Sequence, residues 1–351
     1  MNEAKSGAKL IAPAHPIDAA ALAVWFRANV DEGVRDIAVE QFQGGQSNPT
    51  YRLTAGNRCF VLRRKPPGTL LPSAHAIDRE YRVMSALAET GVPVATMHAL
   101  CEDPTVIGTA FYVMEHVEGR ILWDPTLPGM TPAERAAHYD ELNRVIANLH
   151  QVDFAAVGLS EFGRTGGYIE RQVARWSKQY QAAGAERIAA MDCLIEWLPS
   201  HIPAGDETSI VHGDYRLDNV IFHPTEPRIL AVLDWELSTL GHPLSDFAYQ
   251  VMVWRLAPQE FRGLRGADLA SLGIPDEAQY VSDYCRRTGR EGIANWEFYL
   301  IFNMFRISAI LHGVLSRAMQ GNAASGDAVE MGRRAGPVAG VAWDMAQRMN
   351  G

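Results

Sequence analysis

The spacing of apolar positions changes along the chain and divides it into two parts. Over roughly the first third, short apolar runs are broken by glycine and proline, a strand-and-turn pattern. After a polar arm at residues 1–17, the pattern predicts a helix over Ile17–Val30. Strand-like runs flank Gly44-Gly45-Gln46-Ser47-Asn48-Pro49-Thr50-Tyr51, and another strand runs from Cys59 to Arg63 before the turn at Pro66-Pro67-Gly68. Ser73 is the expected cap of a helix that reaches Thr90 and stops at Gly91 and Pro93. Phe111–Met114 reads as one more strand. Beyond it the period becomes helical. Thr131-Pro132-Ala133-Glu134 is a capping box with proline at the first helical position, starting a helix that ends near His150. Further helices are expected near 167–182 and 185–198, then a hairpin, then helices to the end. Phe298–Leu315 is nearly long enough to cross a bilayer, but Asn303, Arg306 and His312 interrupt it, so a buried helix is expected. The fold class is α+β: an arm, a β-rich lobe and a hinge at residues 1–117, and a mainly helical lobe with the hairpin at 118–351, as two lobes around a cleft.

The hairpin carries the densest chemistry. A short apolar strand runs into His212-Gly213-Asp214, Asn219 follows Asp214 by five residues, and a second apolar run, Ile229 to Leu233, ends at Asp234. This spacing resembles the catalytic and metal-binding positions of protein kinases. A hydroxyl attacking phosphorus loses a proton late in the reaction, and a carboxylate beside it can orient the hydroxyl and take that proton. Asp214 is the candidate. Mg²⁺ takes hard oxygen ligands, and Asn219 and Asp234 supply them. His212 is expected to steady the loop by packing and hydrogen bonding.

The first part of the chain offers a matching nucleotide side. Glycines at 44 and 45 let backbone N–H groups approach phosphate oxygens, and Ser47 adds a hydroxyl. Glu80 falls on the same helical face as Ile77, Met84 and Leu87, and a buried carboxylate needs a cation. Arg63, at the end of the preceding strand, is the expected partner, with Lys65 as the alternative. Strand alternation puts Arg64 on the opposite side.

Composition narrows the partners. The 351-residue chain is 47% hydrophobic, enough for two real cores, and its net charge of −9 disfavours a nucleic-acid partner. Cys59, Cys101, Cys193 and Cys285 are far apart and form no metal or redox spacing, which fits a reducing cytoplasm. The N-terminus lacks the unbroken apolar core of a signal peptide, and no membrane association is expected.

From about residue 38 onward the chain resembles the aminoglycoside phosphotransferase and choline kinase-like superfamily, and most of all the branch associated with acyl-CoA dehydrogenases. The resembling segments are Gly44–Tyr51, Phe60-Val61-Leu62-Arg63-Arg64-Lys65-Pro66-Pro67-Gly68, Ala74–Arg82, Tyr112-Val113-Met114-Glu115, His212–Asn219 and Leu233-Asp234-Trp235-Glu236. The resemblance implies a protein-kinase-like fold, ATP and Mg²⁺ as cofactors, and transfer of the γ-phosphoryl group to a hydroxyl. It departs at Arg63, where kinases place a lysine. It implies adenine held by the Glu115 carbonyl and the Val117 amide, and a structural role for Asp246. The branch also implies a small hydroxy acid or hydroxyacyl-CoA as acceptor, and an acyl-CoA dehydrogenase as functional partner.

Arg164, Tyr168, Arg171, Arg175 and Lys178 recur at helical spacing. Arg171, Arg175 and Lys178 are candidates for an anionic acceptor such as a coenzyme A thioester. The competing expectation for that face is a solvated surface. The competing functions are a nucleotide-binding regulatory pseudokinase, an aminoglycoside- or choline-type kinase, and a metallohydrolase using His212, Asp214, His223, Asp234 and His242.

Overall fold

The computed structural model describes residues 10–11, 17–42, 48–66, 76–320 and 328–349. The chain forms two compact units whose segments interleave: Met1–Leu122 with Ala156–Leu159 and Asp218–Ser238, and Trp123–Ala155 with Ser160–Leu217 and Thr239–Gly351. The hairpin expected in the helical part therefore packs in the first unit. Backbone bonds place it there: Val232 N–H donates to the Pro93 carbonyl at 2.9 Å, and Arg120 and Phe222 exchange N–H···O bonds of 2.8 Å.

The first unit is built on an antiparallel sheet of β1 (Leu10–Ile11), β2 (Ala38–Phe42), β3 (Thr50–Ala55), β4 (Arg58–Arg64), β5 (Met97–Cys101) and β6 (Phe111–Glu115), in the order β1-β2-β3-β4-β6-β5. β1 lies in what the sequence presented as a loose arm. β5 was not expected, because its first four residues are all half-buried and show no alternation. β3 does alternate, burying Tyr51, Leu53 and Ala55. Helix α1 (Ala19–Asn29), capped by Asp18, packs Leu22, Ala23 and Phe26 into a core with Phe60, Leu62, Phe111 and Val113. Helix α2 (Ile77–Leu87) buries Ile77, Glu80, Val83, Met84 and Leu87. Its N-cap is Ala76, with no side-chain cap bond; Ser73, the expected cap, lies outside the described residues.

In the second unit, helix α3 (Pro132–Gln151) starts at the expected capping box, with Thr131 and Glu134 bonding each other's backbone. Helices α4 (Tyr168–Ala182), α5 (Ala189–His201) and α6 (Pro243–Val251) and the C-terminal helix Ala335–Met349 pack on a long helix, Trp296–Met319. That helix is the apolar run that could cross a bilayer by length, and 78% of its most apolar window is buried. Its polar interruptions reach backbone carbonyls. Asn303 donates to Ser245 at 2.8 Å, Arg306 to Gly213, and His312 bonds Glu186 at 2.8 Å. Buried polar groups need such partners, and these partners lie far away in sequence. Ser209–Val211 pairs antiparallel with a short strand at Thr239–Gly241 that the sequence did not signal.

Candidate active site

In the first unit the hairpin register brings Asn219 and Asp234 to one end. Val220 pairs with Val232, and Leu233 N–H donates to the Asn219 carbonyl at 2.8 Å. Asp234 sits in the left-handed region with φ 65°. That conformation costs a non-glycine residue about 1–2 kcal/mol, and such strain clusters at functional sites. Trp235 is buried behind it and ties the turn by donating Nε1–H to the Val232 carbonyl at 2.9 Å. Gly119 is required here too, because a Cβ would stand 2.3 Å from the Phe222 carbonyl oxygen.

A charge network surrounds Arg63 at the end of β4. Its guanidinium lies 2.9 Å from Asp234 Oδ1, 3.1 Å from Glu80 Oε2 and 3.6 Å from Glu236 Oε2. Glu80 Oε1 accepts from Asn48 Nδ2 at 2.8 Å, and Oε2 accepts from the Tyr112 hydroxyl at 2.9 Å. Burial pushes the Glu80 carboxyl above its usual range, while Arg63, Tyr112 and Asn48 pull it back. Burial opposes the Arg63 charge, but Tyr112, Glu80 and Asp234 outweigh it and hold its pKa up. Lys65, the alternative cation, is half-exposed, and its Nζ is 3.9 Å from Asp78. Arg64 is buried on the other side, over the Tyr51 ring at 5.1 Å. At the end of β6, the Glu115 carboxylate accepts from Thr96 Oγ1 at 2.8 Å, and beyond the strand the Val117 amide has no backbone partner among the described residues. Gly44, Gly45 and Ser47 lie outside the described residues.

In the second unit, Asp246 of α6 clamps the loop that holds Asp214. Its carboxylate accepts from the His212 amide at 2.7 Å and the Gly213 amide at 2.8 Å. Gly213 has φ 83°, which a side chain would strain. Burial would raise the Asp246 carboxyl, yet the hydrogen bond and charge of His150, with His212 beside it, hold it below the usual carboxylate range. His150 bonds Asp246 Oδ2 at 3.3 Å through Nε2 and the Tyr284 hydroxyl at 2.7 Å through Nδ1. His212 is fully buried and accepts the Asp214 amide at 3.2 Å, so it steadies the loop. The Asp214 carboxylate is 3.2 Å from Arg216 Nε and is hydrogen-bonded by Tyr249.

On α4, Tyr168 is buried and Arg164 precedes the helix, so the expected basic face is shorter than its sequence spacing suggested. Arg171 donates to the Gly166 carbonyl and, at 3.1 Å, to the Arg164 carbonyl. Arg175 lies over the Trp176 ring at 5.4 Å, and Lys178 is exposed. Sequence reasoning missed Asn48, Tyr112, Glu236, Arg216 and Tyr249. Arg216 could have been found from its place inside the Asp214–Asn219 motif; Tyr249 carries no local signal.

The donor set suits Mg²⁺. An amide oxygen and a 36% exposed carboxylate leave further positions to phosphate oxygens and water, which is how Mg²⁺ is usually held. It does not suit the metallohydrolase alternative, since no group of three His, Cys, Asp or Glu side chains among the described residues is placed to hold a metal ion. His223 instead accepts amides of its own turn, and His242 caps α6.

A strand cation paired to a helix carboxylate, a metal-type carboxylate after a hairpin and a clamped Asp loop are the parts of a kinase-like phosphotransferase. The fold agrees. A crystal structure from Ralstonia eutropha JMP134, provisionally described as an aminoglycoside phosphotransferase, matches with TM-score 0.88 and 56% identity over 95% of this chain and 99% of that one. The aminoglycoside phosphotransferase APH(4)-Ia, in its complex with AMP-PNP and hygromycin B, shares the fold at TM-score 0.60 and 16% identity, covering 92% and 99% of the two chains. Residues 38–296 match the phosphotransferase enzyme family (APH), and the chain belongs to that family. It is thus a phosphotransferase with an alcohol group as acceptor. Kinase-like relatives in this family bind ATP and Mg²⁺ in general. Mouse acyl-CoA dehydrogenase family member 10 is 51% identical over 88% of this chain, and human acyl-CoA dehydrogenase family member 11 is 42% identical over 96%. The chain spans only 29% and 44% of the length of those two relatives.

Proposed function

We propose that the chain is an ATP-dependent small-molecule kinase that phosphorylates a hydroxy acid or a hydroxyacyl-CoA. The observation that supports it most is the Arg63 network, which ties a phosphate-binding cation to Glu80 and to the metal-type carboxylate Asp234. In this reading Asp214 orients the acceptor hydroxyl and accepts its proton. Asn219 and Asp234 hold Mg²⁺, which when bound would neutralise charge on the transferring phosphoryl group. Arg63, kept in place by Glu80, contacts nucleotide phosphates, and Gly44, Gly45 and Ser47 cover them. The Glu115 carbonyl and Val117 amide hold the adenine. Arg171, Arg175 and Lys178 face the acceptor; two of the Arg171 donors already hold the loop before α4, so Arg175 and Lys178 would carry more of that contact. The names of the relatives above support an acyl-CoA dehydrogenase as functional partner. Cationic side chains on α4 disfavour a polycationic aminoglycoside.

The test is acceptor-dependent ADP release with hydroxy acids, hydroxyacyl-CoAs, choline, sugars and aminoglycosides. Release with an anionic hydroxy compound should fall at least about 100-fold in Asp214→Asn while Mg²⁺·ATP binding persists. Full turnover in that variant would remove Asp214 from the reaction.

A further inference from the structure

Arg306, in the middle of the long helix, is 5% exposed, yet none of its nitrogens lies within ion-pair distance of a carboxylate among the described residues. Three other arginines show the usual arrangement. Arg63, 14% exposed, has Glu80, Asp234 and Glu236; Arg255 has Glu277 and Glu297; Arg290 has Glu207. A guanidinium carries five N–H donors, and buried arginines are rarely left without an anion. Arg306 uses one nitrogen on the Gly213 carbonyl, and its buried Nε–H has no hydrogen-bond partner among the described residues. Among the described residues, ring faces lie over its charge, Tyr249 at 5.0 Å and Trp176 at 6.0 Å. Aromatic faces stabilise a cation by about 0.5–2 kcal/mol, and they leave its in-plane donors unused.

Its neighbours fix what those donors are near. Gly213 directly precedes Asp214, and Tyr249, whose ring the guanidinium covers, hydrogen-bonds the Asp214 carboxylate. The Trp176 ring is approached by two cations, Arg306 at 6.0 Å and the exposed Arg175 at 5.4 Å. The second unit therefore places a buried cation and aromatic rings beside the carboxylate that would receive the acceptor's proton.

We propose that Arg306 binds an oxyanion of the acceptor itself, so that the substrate is an alcohol carrying a negatively charged oxygen group close to the hydroxyl that is phosphorylated. This rests on the phosphotransferase reading of Asp214 and deepens it by naming the charge class of the acceptor. Arg306 is then a specificity-determining residue. Its planar fork bonds carboxylate or phosphate oxygens in pairs. The oxyanion can come from the carboxylate of a free hydroxy acid or from a phosphate of a coenzyme A thioester.

The primary test measures binding without nucleotide. Short straight-chain hydroxy acids, their coenzyme A thioesters and their neutral amides are titrated by calorimetry into the wild type, Arg306→Gln and Arg306→Lys. A charge-assisted hydrogen bond of the usual strength predicts about a 10- to 100-fold weaker acid in Arg306→Gln, with part of the affinity regained in Arg306→Lys. The amides should bind the wild type weakly, and the acid-to-amide ratio should collapse in Arg306→Gln. A thioester that binds tightly while its acid does not would assign the oxyanion to coenzyme A. Equal wild-type affinity for acid, thioester and amide would overturn the proposal. So would an Arg306→Gln variant that keeps the acid-to-amide ratio and loses only kcat, because that is the signature of a loop support. Mg²⁺·ATP binding, followed in the same samples, reports separately on the phosphotransferase reading. If it is absent while the acid still binds through Arg306, that reading fails and the oxyanion site stands.

Discussion

Replacing Arg63 by methionine should leave Glu80 as a stranded charge, and the structure determines how the loss varies with pH. The Glu80 side chain is 2% exposed, and breaking a buried ion pair typically costs about 3–5 kcal/mol. Two neutral donors remain, Asn48 and the Tyr112 hydroxyl, so the lower end applies, about 3 kcal/mol at pH 8. Glu80 can escape by taking a proton. Burial already raises its folded pKa above the ordinary value of 4.5, and loss of the Arg63 charge raises it further. A carboxyl whose folded pKa exceeds its unfolded value favours the fold below the unfolded pKa, and that contribution is lost as pH rises through the folded pKa. The deficit of Arg63→Met should therefore shrink on acidification from pH 8 to pH 5.5, by at most about 1.4 kcal/mol per pH unit. Urea unfolding at pH 5.5 and pH 8 measures it. Adding Glu80→Gln should recover part of the loss at pH 8 and flatten the pH dependence. Lys65→Ala, which breaks only an exposed pair, should change stability by less than about 0.5 kcal/mol. A deficit that is equal at both pH values, or a double variant as pH-dependent as Arg63→Met, would refute the idea that Arg63 compensates a buried Glu80.

Two further outcomes concern the metal carboxylate and the α6 cap. Asp234→Ala should abolish the strengthening of ATP binding by Mg²⁺; calorimetry with and without the ion reads this, and an undiminished Mg²⁺ effect would remove Asp234 from the metal site. His242 caps α6 by accepting the Leu244 amide at 3.3 Å, and burial pulls its pKa below the ordinary 6.5. Its contribution is complete above pH 6.5 and declines as pH falls from there toward the lowered folded pKa. His242→Asn, which can still cap, should thus show a smaller drop in urea midpoint between pH 7.5 and pH 5.5 than the wild type; an equal drop would clear His242 of the effect.

What could be read in the sequence was whatever acts over a few residues. The Thr131–Glu134 capping box needs only one helical turn, and it appears where expected. The Glu80 position followed from helical spacing, and its burial made a cation necessary, so the approach of Arg63 was legible before any coordinates. The start of α2 was not, because its cap makes no side-chain bond and left no mark at Ala76. Strand β5 is half-buried without alternation, so it has no period to detect. Tyr112 and Asn48 complete the Glu80 carboxylate from 32 residues away on either side, and nothing in their local sequence announces that. The same holds for Arg306. It read as a polar interruption of an apolar helix, and its significance lies in the absence of a carboxylate within ion-pair distance among the described residues.

The interleaving of the two units also sets an order of events for the growing chain. The sheet of the first unit can be synthesised early, but the Pro93 carbonyl gains its donor only when Val232 has been made, and Arg120 has no strand partner until Phe222 arrives. Everything from Trp123 to Ala155 and from Ser160 to Leu217 belongs to the second unit and is synthesised in between. The first unit therefore waits, incomplete, while much of the second one emerges. A fragment ending at Leu122 would hold all six strands of the sheet but lack the hairpin, leaving the Pro93 carbonyl and the Arg120 backbone groups without their partners. Excising this unit as an independent module would require joining the 218–238 hairpin to it through a new linker, not simply cutting the chain.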